Sequence, residues 1–294
     1  MPCYRPLTSW QSPHTGDMVF EFSPAMTSWE QFELPCGQCI GCRLEKSRQW
    51  AMRCMHEASL WDENSFLTLT YSDENIPFTF CSHGPNRPTL DKKHLQLFWK
   101  KLRKRTNGQI SYFAAGEYGD ETQRPHYHAL VFGYDFADKK PHQRSKNGEM
   151  LYTSDLLNQL WGHGYGIIGN VSFESAAYVA RYCLKKTTGL GSITNYKGRV
   201  PEFAAMSLKP AIGKRWLEKW KTDVYPHDYV IVNGKKCKPP KFYDNMLTDG
   251  ELDAIKDMRR EAADLHADNN TEARLAIREE LQIRKQNQLR RNQQ

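Results

Sequence analysis

The sequence predicts an α+β fold: a central antiparallel sheet of about four or five strands with helices packed against it. Three observations lead there. The run Phe66-Leu67-Thr68-Leu69-Thr70-Tyr71 is β-rich and reads as a first strand over 65–71. Two further strands, over 110–117 and 126–133, flank a turn containing Gly, Asp and Pro, the pattern of an antiparallel hairpin. Helix-period segments fall between and after these strands. The 294 residues are 39% hydrophobic, 12% aromatic and 26% charged, which permits a packed core and excludes wholesale disorder as well as collagen-like and coiled-coil architectures.

Along the chain, residues 1–60 read as a Cys-rich N-terminal element, loop-rich around Pro6, Pro13, Pro24 and Pro35 and closing with a helix over 44–60. The main α+β domain follows over 61–190. After the first strand and a Pro/Gly loop, Thr89-Leu90-Asp91 holds an N-cap candidate for a helix whose apolar positions are Leu95, Leu97, Phe98 and Leu102. Seven Lys or Arg residues lie within 92–105, so this helix is basic and amphipathic, and Asn107-Gly108 marks its stop. Beyond the hairpin come a helix over 154–162, a short strand over 169–173 and a helix over 174–186. Residues 191–247 read as a mixed extension, with a helix over 214–221 and an Asn233-Gly234 hairpin signal. Residues 248–294, without a single aromatic, read as a polar helical tail.

The 41 Lys+Arg against 34 Asp+Glu leave a formal charge of +7. From residue 251 onward nine acidic and nine basic side chains cancel, so the whole excess belongs to residues 1–250 and points to an anionic partner there. The opening Met1-Pro2-Cys3-Tyr4-Arg5-Pro6 lacks the apolar stretch of a signal peptide, and no apolar run approaches the roughly 18 residues of a membrane span. The expectation is a cytoplasmic protein whose eight cysteines stay reduced.

Two motifs carry chemistry. In a strand, side chains two apart share a face, so His126 and His128 point the same way and Tyr127 the other. Hairpin pairing would bring Glu117 beside them, ahead of Asp120 and Glu121, which lie in the turn where solvated acids are common. A nitrogen and oxygen donor set with open positions suits a divalent ion such as Mg²⁺ or Mn²⁺ better than a closed zinc site. The second motif is Tyr178-Val179-Ala180-Arg181-Tyr182. Residues four apart on a helix are neighbours, so two phenols share one face, with Arg181, Lys185 and Lys186 supplying positive charge. Either pair also reads as packing: histidines on a half-exposed strand, tyrosines on an amphipathic helix.

Taken in order, the strand at Phe66, His126-Tyr127-His128 and Tyr178-x-x-x-Tyr182 resemble the rolling-circle replication initiators of the HUH endonuclease superfamily, most closely those of microviruses and their gokushovirus group. Cys36-Gly37-Gln38-Cys39-Ile40-Gly41-Cys42 with Ser47-Arg48-Gln49-Trp50-Ala51 resembles that group too, and the likeness covers residues 34–190. It implies metal-dependent nicking of one strand of origin DNA in the cytoplasm of a bacterial host. His126, His128 and a third ligand hold the ion, a tyrosine attacks to leave a 5′-phosphotyrosine and a 3′-OH primer, and the second tyrosine later rejoins strands. One departure matters: related phage enzymes often carry Lys between the tyrosines, where Arg181 stands here. Arginine keeps its proton at any workable pH, so Lys185 is the better proton carrier.

Two more features stay open at this level. Cys36, Cys39 and Cys42, with Cys54 on the following helix, have a spacing that binds structural zinc; reduced buried thiols or an iron-sulfur cluster are the other readings. On the basic helix, Lys100, Lys101, Arg103 and Lys104 either track DNA phosphates or form a solvated face, and Trp99 either stacks on bases or lies in the core. Competing functions are a zinc-containing nucleic-acid-binding regulator that does not nick, and a hydrolase of small phosphate esters. The tail is a candidate surface for self-association or for a host helicase or polymerase; the oligomeric state is not readable.

Overall fold

The computed structural model describes residues 3–80, 85–119, 121–145, 148–182 and 196–291. The chain divides into two compact units, residues 1–46 with 246–294, and residues 47–245.

In the first unit a small antiparallel sheet is formed by β1 (Leu7–Gln11), β2 (Met18–Val19) and β3 (Glu30–Leu34), with β1 in the middle. These strands lie where loops were expected. They are short and largely exposed, so they carry no alternation of apolar and polar residues to announce them. Helix α1 (Ile40–Ala58) begins in this unit and continues into the second.

The second unit holds β4 (Asn64–Tyr71), α2 (Lys92–Arg105), β5 (Ser111–Tyr118), β6 (Pro125–Phe132), β7 (Lys140–Arg144), β8 (Met150–Thr153), α3 (Asp155–Trp161), β9 (Gly164–Gly169), α4 (Phe173–Tyr182), β10 (Phe203–Met206) and α5 (Lys214–Val224). Among the described residues seven of these strands form one antiparallel sheet in the order β10-β5-β6-β4-β9-β8-β7. The architecture is the expected α+β, with a wider sheet than expected: β10 extends one edge and the β7–β8 hairpin the other. A fully exposed strand such as Lys140–Arg144 has no buried face, hence no hydrophobic period to read.

Helices cover both faces. Central strand β4 alternates strictly between buried and half-buried positions. On one face Leu67, Leu69, Tyr127 and Val131 pack with Leu95, Phe98, Trp99 and Leu102 of α2 and with Leu157 and Trp161 of α3. On the other, Phe113, Ala115, Leu130 and Phe132 pack with Ala176, Val179 and Ala180 of α4 and with Ala51, Cys54 and Ala58 of α1. Each fully buried Leu or Phe contributes about 1.5–3 kcal/mol, so both layers hold the sheet between them. The side bearing His126 and His128 is roofed by α1 and α4 over much of its length.

Local signals account for the ends of these elements. The Asp91 carboxylate accepts from the amides of Lys93 and His94, at 2.7 and 3.4 Å, and starts α2. Asn107 and Gly108 leave it with positive φ. Strand β9 lies ahead of the expected 169–173 because its glycines read as a turn. They are there for close approach: a Cβ at Gly164 would stand 2.3 Å from the Thr70 carbonyl, and one at Gly166 would stand 2.4 Å from Leu157. Helix α4 is described to Tyr182; the expected continuation to 186 lies outside the described residues.

The second unit ends with the hairpin β11 (Val230–Val232) and β12 (Lys235–Cys237), turned at Asn233-Gly234, and helix α6 (Lys241–Asp244). Helices α7 (Asp249–Asp264) and α8 (Glu272–Arg291) then return to the first unit, where Glu279 of α8 accepts from Arg5 at 2.8 Å. Thr248 and Glu251 form a reciprocal capping box at the start of α7. Among the described residues no helix is long and apolar enough to cross a membrane.

Candidate active site

Pairing of β5 with β6 sets Glu117 opposite His126 and Ala115 opposite His128. Pairing of β4 with β6 sets Thr70 opposite His126 and Thr68 opposite His128. Period-two alternation therefore gathers Glu117, His126, His128, Thr68 and Thr70 on one face, the face that α4 covers further along.

The three potential ligands meet. Glu117 Oε1 lies 2.6 Å from His126 Nε2 and 3.0 Å from His128 Nε2. The far nitrogens are anchored: His126 Nδ1 donates to the Arg124 carbonyl at 3.1 Å, and His128 Nδ1 pairs with the Thr68 hydroxyl at 3.0 Å. The carbonyl partner holds the proton of His126 on Nδ1, so that Nε2, which here faces Glu117, is the nitrogen that would turn its lone pair to a cation in place of that hydrogen bond. Glu117 is 2% exposed and His128 5%. Burial alone would raise the Glu117 carboxyl, but hydrogen bonds from His126 and then His128 outweigh it and hold the group below the usual carboxylate range. Its other oxygen, Oε2, is buried and has no hydrogen-bond partner among the described residues. Such an orphan is costly unless something binds it, and a cation held by the triad would. One ligand atom from each residue falls within 4.8 Å of the others, which fits a single ion held by two nitrogens and an oxygen.

Helix α4 brings Tyr178 to the same place. Its ring centroid stands 5.0 Å from that of His128, edge-on, and 6.4 Å from Phe66, which itself stacks on His128 at 5.7 Å. The Ser47 hydroxyl donates to the Ala177 carbonyl at 3.0 Å, tying α1 to α4 one residue before Tyr178. Arg181 is exposed, with its guanidinium 5.9 Å from the Tyr178 ring centroid. Tyr182 is the last residue of α4; its side chain lies outside the described residues, as do Lys185, Lys186 and the turn acid Asp120. Glu121 is exposed in the turn.

One expected grouping is corrected, that of Cys54, and the basic helix takes a place away from the triad. Lys100, Lys101, Arg103 and Lys104 are exposed on α2, and α2 packs on the sheet face opposite the triad, because its apolar positions meet Leu67, Leu69 and Tyr127, which alternate with the triad-face residues. Trp99 is 3% exposed and stacks on Tyr112 at 4.0 Å, so it is core and offers no face to a base. Cys54 is likewise not with Cys36, Cys39 and Cys42. It sits on the buried side of α1 with Ala51 and Ala58, while the thiol that joins the other three is that of Cys3. Helical spacing accounts for this, since positions 51, 54 and 58 form one stripe facing the sheet. His56 beside it stacks on Trp216 at 3.5 Å and pairs through Nδ1 with the Tyr243 hydroxyl at 2.7 Å; burial pushes it down to about 4.

One residue of the triad face was not anticipated. Tyr165 of β9 pairs opposite Thr70, and its ring is 64% exposed. No local signal marks it, because the pairing of β9 with β4 joins segments nearly a hundred residues apart.

The profile of the family described as replication-associated protein ORF2/G2P matches residues 64–187, the stretch holding β4, the triad and the tyrosine helix. The replication-associated protein VP4 of Bdellovibrio phage phiMH2K is 36% identical over 252 residues, which cover 83% of this chain and 76% of that protein. The replication-associated protein ORF2 of Spiroplasma virus 4 is 35% identical over 246 residues, 78% of this chain and 74% of that protein. The corresponding ORF4 protein of Chlamydia phage 1 is 28% identical over 227 residues, covering 74% and 54%. No solved structure matches the chain.

Proposed function

This chain belongs to the family of phage replication-associated proteins, and from that premise we propose that it starts rolling-circle replication by nicking origin DNA through a tyrosine. The carrying observation is the meeting of Glu117, His126 and His128, one carboxylate oxygen without a partner among the described residues, with Tyr178 packed against His128.

The donor set fits Mg²⁺ or Mn²⁺ held by these three residues; when bound, such an ion polarises a phosphate and offsets the charge that builds on it. The chain's own groups supply the rest. The oxygen of Tyr178 or Tyr182 attacks the phosphorus, a new P–O bond forms, and the bond to the 3′ oxygen breaks. That oxygen leaves with its electron pair and gains a proton, while the phenol gives one up, so the products are a 5′-phosphotyrosine and a 3′-OH primer. Lys185, three residues past Tyr182 in the sequence, is of the type suited to carry the proton; Arg181 and Lys186 steady phosphate charge. After a round of copying the second tyrosine attacks the regenerated junction, and one helical turn between the two keeps both within reach of one phosphate.

The partner in this reading is single-stranded origin DNA lying across the triad face, where exposed Tyr165 offers a ring for a base to stack on. The setting is the cytoplasm of the bacterial host, with a host helicase to open duplex and a host polymerase to extend the 3′-OH.

The test is incubation of the full chain with labelled single-stranded origin DNA and Mn²⁺. A protein-DNA adduct that survives denaturant, linked at Tyr178 or Tyr182 by mass spectrometry, is expected. Each single Tyr→Phe change should reduce adduct or rejoining, and the double change should abolish both. Binding without adduct in any divalent metal would instead favour a non-nicking, DNA-binding regulator.

A further inference from the structure

We propose that Cys3, Cys36, Cys39 and Cys42 bind one zinc ion as four thiolates, and that this ion stands in for the hydrophobic core that the N-terminal sheet lacks. The proposal is independent of the nicking chemistry.

Geometry carries it. Cys3 Sγ lies 3.7 Å from Cys36 Sγ and 3.9 Å from Cys39 Sγ, and the four sulfurs all fall within 4.8 Å of one another. Sulfurs at the corners of a tetrahedron about 2.3 Å from its centre stand about 3.8 Å apart. A disulfide would need about 2.05 Å, so these thiols are free. An iron-sulfur cluster interposes several atoms between its thiolates and would spread them further.

The backbone is arranged for sulfur that carries charge. The amides of Cys39 and Cys42 each donate to the sulfur three residues earlier, at 3.3 and 3.4 Å. The amides of Tyr4 and Cys36 donate to Cys39 and Cys3, at 3.4 and 3.3 Å. Gly37 takes φ +73°, which lets the chain turn back between the first two ligands of the run. N–H groups aimed at sulfur offset the two negative charges left when four thiolates surround a divalent ion; binding releases the thiol protons to water.

The sheet explains what the ion is for. Strands β1 and β3 end on the pair Leu7 and Leu34, and this pairing draws Cys3 and Cys36 together just beyond the strand ends. Among the twelve residues of β1, β2 and β3 only Ser9 is buried. A sheet this small with no apolar interior needs a staple, and a metal site is one of the few available to a reduced protein.

The experiment measures metal in the full chain carrying His126→Ala and His128→Ala, so that any remaining ion does not belong to the triad. One zinc per chain is expected by mass spectrometry of the elements. Cobalt(II) in its place should give the intense absorption of tetrahedral thiolate coordination. Cys3→Ser should lose the ion and Cys54→Ala should keep it, while Cys3→His, which returns a nitrogen ligand, should restore zinc with an altered cobalt spectrum. Chelation should speed amide exchange in β1 and β3 at least about tenfold and leave β4 to β6 unchanged. Absence of stoichiometric metal, iron in place of zinc, disulfides in the freshly isolated protein, or zinc retained by Cys3→Ser would each overturn the proposal.

Discussion

The two faces of the large sheet are one residue apart in sequence and serve different ends. Tyr127 points to the α2 face. Its hydroxyl donates to the Asp91 carbonyl at 2.8 Å, accepts from the Asp91 amide at 2.9 Å and lies 2.8 Å from the Tyr71 hydroxyl, and burial pushes its phenol up to about 12. At this hydroxyl, donor and acceptors are all matched. His126 and His128, on either side of it, point to the α4 face, where they share a carboxylate whose second oxygen has no hydrogen-bond partner among the described residues. The contrast lies in the kind of group: the Tyr127 hydroxyl closes a set of hydrogen bonds that holds α2 to the sheet, whereas the triad gathers a buried carboxylate and two imidazoles, donors of the kind that bind a cation.

The largest effects should separate these faces. His128→Ala is expected to lower adduct formation by more than the roughly 10- to 100-fold that loss of a supporting residue costs a metal site, with salt-dependent DNA binding kept. Tyr127→Phe, one residue away, should cost about 1–3 kcal/mol of stability in denaturant unfolding, because it strands the Asp91 groups, and leave adduct formation per folded molecule unchanged. Equal damage to activity from both would erase the distinction.

Acid sharpens it in another way. His56 titrates at about 4 in the folded chain against about 6.5 unfolded, because burial disfavours its charged form. The unfolded state therefore binds the proton first, and stability falls as pH drops from 6.5 toward 4, by about 3 kcal/mol in all. Urea midpoints measured across this range should show that loss, and His56→Phe should flatten it. An acid decline in nicking that survives in His56→Phe would then belong to the triad.

Smaller effects concern where DNA lies. Tyr165→Ala on the triad face should weaken single-strand binding by about 1–3 kcal/mol by titration, if a base stacks there. Lys100→Ala with Lys104→Ala, on the opposite face, should change the salt slope of binding by less than about 1 per residue and leave cleavage of bound DNA untouched. The reverse ranking would place the strand along α2.

Much of this was legible beforehand because it is local. The strand at 65–71, the hairpin and the basic helix follow from periodicity, an N-cap candidate in Thr89-Leu90-Asp91 and a stop at Asn107-Gly108, all read within a window of a few residues. The meeting of Glu117 with the histidines was legible too, since register in a hairpin depends only on alternation and turn length. The exposed strands β1, β3 and β7 were not, for want of a buried face. The pairing of β9 was hidden by glycines that look like a turn but serve close packing against Thr70 and Leu157.

By itself, then, the sequence determined which side chains share a face within each element, because a strand repeats every two residues and a helix every 3.6. Which face meets which was decided only in three dimensions. That Cys3 rather than Cys54 completes the thiol cluster depends on two strands pairing across some thirty residues, and that α2 lies behind the triad depends on which apolar stripe covers which side of the sheet. Such contacts follow from burying the whole apolar surface at once, and no short window of sequence contains that sum.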